Sequence, residues 1–207
     1  MTDGHPPEGF RYLPDYLDRG AQEALLAEVR AAVSAAPLYR PTMPGSGRPF
    51  SIRMSNAGPL GWVSDKAGYR YQPRHPETDT PWPPIPARAL EIWDAVAGYP
   101  APPECCLVNF YEPPRGKMGL HKDQDEEAVA APVVSISLGD TALFRIGGPE
   151  RRGTTLSMKV DSGAVVVLGG AARQCYHGID KVYFGSSSLL TAPGRINLTL
   201  RRVTRPS

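Results

Sequence analysis

Apolar positions along this chain change their period about halfway. In residues 15–36, "DYLDRGAQEALLAEVRAAVSAA", Leu25, Val29, Ala32, Val33 and Ala36 recur at helical spacing and Pro37 supplies a stop, which predicts an amphipathic helix. A second helix is predicted over 85–99, where Ala89, Ile92, Trp93 and Val96 share a face, Pro86 suits the first turn and Gly98 the end. From residue 105 the pattern becomes short and alternating or β-branched: "CCLVNFYE", "PVVSISLG", "TALFRIGG", "TTLSMKV", "GAVVVLGG" and "RINLTLRRV" read as strands, separated by Gly, Pro and charged turns. Residues 37–84 carry little periodicity, and prolines crowd the stretch from Pro73 to Pro86, so this segment reads as an extended layer or lid between the helices.

Helices first and closely spaced strands afterwards argue for an α+β fold, a curled sheet or two-sheet sandwich supported on one face by helices; a jelly-roll is one such solution. At 207 residues, with 41% apolar and 21% charged content, the chain fits one domain spanning 1–207 with a real core. No run approaches the roughly 20 apolar residues of a membrane span, and "MTDGHPPEGF" lacks the basic start and apolar block of a signal peptide, so a cytoplasmic, membrane-free protein is expected; a monomer is expected as well. Cys105, Cys106 and Cys175 have no zinc spacing and read as reduced, buried thiols. The net charge of +2 is small, but Arg40, Arg48, Arg53, Lys66, Arg70 and Arg74 are opposed within their segment only by Asp65. That segment calls for an anionic partner.

The candidate chemistry starts at "GLHKDQDE", residues 119–126. Alternate residues of an extended strand project to one side, so His121 and Asp123 could converge on a metal; a solvated charged turn explains the same letters. His177, in "ARQCYHGI", follows a predicted strand, while His5 and His75 lie in proline-flanked loops. Together His121, Asp123 and His177 spell the two-histidine, one-carboxylate triad of non-haem Fe(II) oxygenases. Such an iron needs an electron donor, and 2-oxoglutarate would chelate it while its far carboxylate seeks a guanidinium. "RINLTLR" offers Arg195, Asn197 and Arg201 on one face of a strand; a basic tail on an edge strand, continued by Arg202 and Arg205, is the alternative.

These stretches occur in order: "NFYEP" (109–113), "LHKDQDE" (120–126), "PVVSISLG" (132–139), "FRIGG" (144–148), "VVVLGG" (165–170), "YHGI" (176–179) and "RINLTLR" (195–201). The set resembles the AlkB-type Fe(II) and 2-oxoglutarate-dependent nucleic-acid dealkylases across roughly 150 residues. The resemblance implies a double-stranded β-helix (jelly-roll) over 105–203, with iron on His121, Asp123 and His177. It further implies 2-oxoglutarate on Asn109, Tyr111, Arg195, Asn197 and Arg201, with Arg201 meeting the distal carboxylate. Asp125 would meet the exocyclic amine of the damaged base and Trp62 would stack on it, with Met54, Tyr69, Ser135 and Arg151 lining the substrate side. Glu126 and Glu127 read as solvated. Two departures stand out: "NFYEPPRGKMGLH" is one residue longer than the family pattern, and Leu168 stands where an aromatic often occurs.

Independently of the family, a flipped or single-stranded base is gripped by aromatics interleaved with cations. Trp62, Tyr69 and Tyr71 beside Arg53, Lys66 and Arg70 offer that combination; a proline-rich layer whose aromatics pack down on the sheet is the other reading. The leading expectation is oxidative dealkylation of N-alkylated bases such as N1-methyladenine and N3-methylcytosine, a DNA repair activity. Fe(II), O2 and 2-oxoglutarate are consumed or used, and aldehyde, succinate and CO2 released, with alkylated single-stranded DNA as the preferred partner. An RNA (tRNA or mRNA) demethylase, a hydroxylase of proteins or small molecules, and a non-catalytic metal-binding jelly-roll module stand as alternatives.

Overall fold

A computed structural model describes residues 5–206; the first four residues of the stretch read for targeting lie outside the described residues. In chain order the elements are β1 (Phe10–Leu13), α1 (Arg19–Ala35), β2 (Arg53–Ala57), β3 (Gly61–Asp65), β4 (Gly68–Gln72), α2 (Ala87–Val96), β5 (Cys105–Tyr111), β6 (Met118–His121), β7 (Val133–Gly139), β8 (Ala142–Ile146), β9 (Leu156–Val160), β10 (Val165–Leu168), a 3-10 turn (Gly170–Gln174), β11 (His177–Val182) and β12 (Arg195–Arg201). A six-stranded sheet runs β1-β10-β7-β12-β5-β2, and a four-stranded sheet runs β6-β11-β8-β9. All the pairings are antiparallel. This is the expected jelly-roll with helices on one face.

Period-two side-chain alternation explains how the large sheet serves two masters. Val134, Ile136 and Leu138 of β7, Cys106 and Val108 of β5, and Leu198 and Leu200 of β12 point outward and bury Leu25, Leu26 and Val29 of α1 and Ala89, Ile92 and Trp93 of α2. Their neighbours in sequence therefore point inward, toward the four-stranded sheet. Along β12 those inward positions are Arg195, Asn197, Thr199 and Arg201, opposite Tyr111, Asn109, Leu107 and Cys105 of β5. Apolar contacts toward the helices thus hold a polar ladder in place on the other face.

Helix α1 starts four residues later than the pattern suggested because Asp18 caps it, accepting from the Ala21 N–H at 2.8 Å. The segment expected as a lid is divided. β2 joins the large sheet beside β5, leaving the hairpin β3–β4 as the element standing off it. β1 also belongs to that sheet, so the barrel begins well before residue 105. The six strands expected are all present, joined by the unpredicted short strands β6 and β11. The three cysteines are buried and free. Among the described residues no helix is long and apolar enough to cross a membrane.

Candidate active site

β6 and β11 pair antiparallel with His121 directly opposite His177. Gly178 permits this approach: a Cβ there would lie 2.6 Å from the Met118 carbonyl oxygen and 2.9 Å from that of Gly119. The imidazole centroids are 4.6 Å apart. Asp123 follows two residues past the end of β6, outside the strand on which alternation had placed it, and still turns its carboxylate inward. Its Oδ1 is 3.9 Å from His121 Nε2 and its Oδ2 3.8 Å from His177 Nε2, and the three ligand atoms lie within 4.8 Å of one another.

The protonation states suit a cation. His121 Nδ1 is 3.0 Å from the Gly119 carbonyl and His177 Nδ1 is 3.1 Å from that of Cys175. A carbonyl only accepts, so each Nδ1 is a donor, and in the neutral ring this leaves the Nε2 lone pair facing the shared centre. Burial, with the neighbouring His121, pulls His177 down to about 4, so it is neutral at physiological pH. Burial alone would raise the pKa of Asp123, but Arg201 and both imidazoles outweigh it and hold the carboxylate well below its ordinary range. Asp123 Oδ2 has no hydrogen-bond partner although it is buried. Two imidazole lone pairs and an unsatisfied carboxylate oxygen form a donor set that fits iron(II).

The residues expected to hold iron, 2-oxoglutarate and the base all line one cavity of about 560 Å3 between the sheets, whereas Tyr71, Arg53, Lys66 and Arg70 do not. At its floor Arg195, 1% exposed, donates to the carbonyls of Asp140 (3.0 Å) and Val160 (3.2 Å) and to Ser137 Oγ (2.6 Å), but among the described residues it pairs with no carboxylate. Burial pulls it down to about 10, and pushes Tyr111 up to about 12. Asn197 Nδ2 donates to Ser135 Oγ at 2.7 Å, and Thr199 Oγ1 to Asn197 Oδ1 at 3.0 Å. Asn109 Oδ1, Arg195 Nε and Arg201 Nη1 are buried without partners. Such groups are costly unless a ligand satisfies them, and a polar, dibasic groove ending at the triad fits 2-oxoglutarate.

Arg201 is not the free guanidinium expected for the distal carboxylate. Its Nη2 lies 2.9 Å from Asp123 Oδ1 and its Nε 3.4 Å from Glu126 Oε1, so it stands at the metal end, while Arg195 is the buried cation without an anion. Glu126 is likewise not solvated. It is 5% exposed and also meets Arg173 Nη2 at 2.8 Å and the Tyr71 hydroxyl. Ser135, expected on the substrate side, hydrogen-bonds Asn197 and belongs with the floor. Thr199 and Arg173 were missed, though Thr199 shares the odd-numbered face of β12 that singled out its neighbours.

At the mouth, Trp62 of β3 stacks on Tyr69 of β4 (centroids 5.3 Å, planes at 24°) and donates from Nε1 to Asp125 Oδ2 at 2.9 Å. Phe50 flanks Trp62 at 6.3 Å. Met54, 1% exposed, sits opposite Asn109 in register, and Arg151 is exposed at the rim. The basic segment is more neutralised than its letters suggest: Arg40 and Arg53 share Glu112, Arg70 pairs with Asp65 and Arg74 with Asp79.

Comparison with known proteins adds four findings. The family model described as the 2OG-Fe(II) oxygenase superfamily matches residues 9–201. The Alpha-ketoglutarate-dependent dioxygenase AlkB homolog of Caulobacter vibrioides (strain NA1000) is 49% identical over 196 residues, 94% of this chain and 87% of that protein. The Alpha-ketoglutarate-dependent dioxygenase AlkB of Escherichia coli (strain K12) is 39% identical over 186 residues, 88% and 85% of the two chains. Among solved structures, that of OsALKBH1 superposes with a TM-score of 0.80 at 28% identity, covering 96% of this chain and 98% of that one.

Proposed function

Because the chain belongs to the 2OG-Fe(II) oxygenase superfamily, and within it to the AlkB-type dioxygenases, we propose that it removes alkyl groups from ring nitrogens of DNA bases, with N1-methyladenine and N3-methylcytosine as representative lesions. It is an Fe(II)- and 2-oxoglutarate-dependent dioxygenase. The observation that carries the substrate reading is the mouth. A stacked Trp62–Tyr69 pair and the exposed Asp125 carboxylate stand over the same cavity that holds the triad. The proposal includes single-stranded DNA as the preferred form and a monomer acting in the cytoplasm.

Bound iron, with 2-oxoglutarate and oxygen, supplies the hydroxylation of the N-alkyl carbon, yielding succinate and CO2 alongside. His121, Asp123 and His177 would hold the metal, and Arg201 occupies Asp123 Oδ1 so that Oδ2 is the oxygen left for it. Arg195, with Tyr111 beside it in register, would take the distal carboxylate; Asn109 and Asn197 would satisfy oxygens along the chain. Trp62 and Tyr69 would hold the base by its π-face, aiming one C–H bond inward. An N1- or N3-methyl makes the base cationic, so Asp125, once released from Trp62, stabilises it. The hydroxymethyl product then collapses: its C–N bond breaks, the electron pair returns to the ring nitrogen, the hydroxyl proton is lost and formaldehyde leaves.

The test is anaerobic loading with Fe(II) and 2-oxoglutarate, followed by oxygen and an oligonucleotide bearing one N1-methyladenine, with the product weighed by mass spectrometry. Loss of one methyl, abolished in His121→Ala, is expected. His121 is partly exposed, so that variant keeps its fold. Turnover of methylated RNA but not DNA would transfer the reading to RNA, and succinate formation that no lesion stimulates would remove nucleic acid as the substrate.

A further inference from the structure

The hairpin β3–β4 reaches the loop after β6 through two side-chain bonds, and they form a matched pair. Trp62 and Tyr71 are register partners across the hairpin, and they hold the consecutive carboxylates Asp125 and Glu126. The two bonds end in different surroundings. Asp125 is exposed and has no further side-chain bond among the described residues. Glu126 belongs to a buried cluster in which Asp123, Glu126, Arg173 and Arg201 are 8%, 5%, 3% and 6% exposed.

Within that cluster Glu126 meets both guanidiniums and Arg201 faces both carboxylates. Arg201 bridges Asp123 Oδ1 (2.9 Å) and Glu126 Oε1 (3.4 Å). Arg173 bridges Glu126 Oε2 (2.8 Å), the Asp123 backbone carbonyl (2.5 Å) and that of Ala131 (3.1 Å). The Tyr71 hydroxyl donates to Glu126 Oε1, the oxygen that also faces Arg201. Two carboxylates and two guanidiniums leave the cluster neutral, so no member can move without exposing an unpaired buried charge. Glu126 is one of the two anions that Arg201 faces, and Arg201 is the group that occupies Asp123 Oδ1 and leaves Oδ2 without a partner. None of Tyr71, Glu126 and Arg173 lines the cavity.

We infer that Glu126 is a positioning residue that links seating of the hairpin to the orientation of the metal ligand Asp123, with Tyr71 as the hairpin's contact. The inference rests on the reading of His121, Asp123 and His177 as the metal site. Linkage is reciprocal: if a seated hairpin favours the ligating geometry, metal binding favours the seated hairpin by the same factor. The Trp62–Asp125 bond can open when Asp125 turns to a base, while the Tyr71–Glu126 bond keeps the hairpin attached.

Co(II) alone serves as the probe, its dissociation constant read from d–d absorption and the hairpin's backbone amides followed by hydrogen exchange with and without it. Tyr71→Phe keeps the ring and removes only the hydroxyl. It is expected to weaken Co(II) binding about fivefold or more and to abolish the slowing of exchange that Co(II) causes in residues 61–72 of the unaltered protein. Binding that depends on His121 but is identical in Tyr71→Phe overturns the inference and leaves the metal site standing. Binding that survives His121→Ala overturns the metal reading itself.

Discussion

The two ends of the cavity are built on opposite principles. The floor, on the inner faces of β7 and β12, is buried and cross-linked: Arg195, Ser137, Asn197, Ser135 and Thr199 hydrogen-bond one another or nearby backbone before any ligand arrives. The mouth, on the hairpin β3–β4, is open: Tyr69 is 46% exposed and Trp62 leans on an exposed carboxylate. A co-substrate that never varies is served by preformed donors, which cost no reorganisation at the moment of reaction. A base that must be captured from a strand is served by aromatic faces that accept any ring. The floor should therefore be intolerant of small changes and the mouth forgiving.

The harshest trial of that contrast is Arg195→Lys, which keeps the charge and removes the fork. Hydrogen bonds to charged groups contribute about 1.5–3 kcal/mol, so the KM for 2-oxoglutarate is expected to rise roughly 10- to 150-fold. Thermal stabilisation by added 2-oxoglutarate, clear in the unaltered protein, should shrink in parallel. Steady-state titration of 2-oxoglutarate with the metal saturating measures it. A rise of less than about threefold would mean that Arg201 carries the distal carboxylate after all, despite its pairing with Asp123.

That assignment marks how far the sequence could be read. Alternation along "RINLTLR" placed Arg195, Asn197 and Arg201 on one face, because Ile196, Leu198 and Leu200 had to face the helices. Periodicity does not say which end of a strand meets the metal; that depends on where β6 and β11 set His121 and His177, and neither stretch was read as a strand from its letters. Glu126 was misread for a related reason. In "HKDQDEE" it looks like one more surface charge, and what buries it lies 47 residues away at Arg173 and 55 residues back at Tyr71. β2, "RMSNA", looks like a loop by its letters and is a strand only because β5 offers it an edge. Local pattern was sufficient where a core face enforced it, and silent where the partner was distant and polar.

A middle-sized effect is expected where mouth meets chemistry. Asp125→Ala removes the carboxylate that faces a cationic base and also frees Trp62 Nε1. The kcat/KM for N1-methyladenine is expected to fall about tenfold, consistent with one charge-assisted hydrogen bond, and that for a neutral lesion such as N3-methyluracil much less. Competition between two oligonucleotides differing only in the lesion reads the ratio directly. Equal losses on both would make Asp125 a prop for Trp62 rather than a reader of charge, and the mouth would then resemble the floor.

The smallest effect tests the mouth alone. Tyr69 stacks on Trp62, is 46% exposed, and lines the cavity. Tyr69→Ala forfeits stacking of about 1–3 kcal/mol at most, and the solvent-facing position of the ring discounts that toward the lower limit. The expected result is a threefold to tenfold rise in KM for a methylated oligonucleotide with kcat unchanged, the signature of binding lost equally from ground and transition states. Tyr69→Phe, which keeps the stack, should match the unaltered protein. If kcat falls with Tyr69→Ala, the ring sets the distance between the alkyl carbon and the metal site. The hairpin would then be part of the preformed machinery, and the division of labour between floor and mouth would fail at the point where it looks safest.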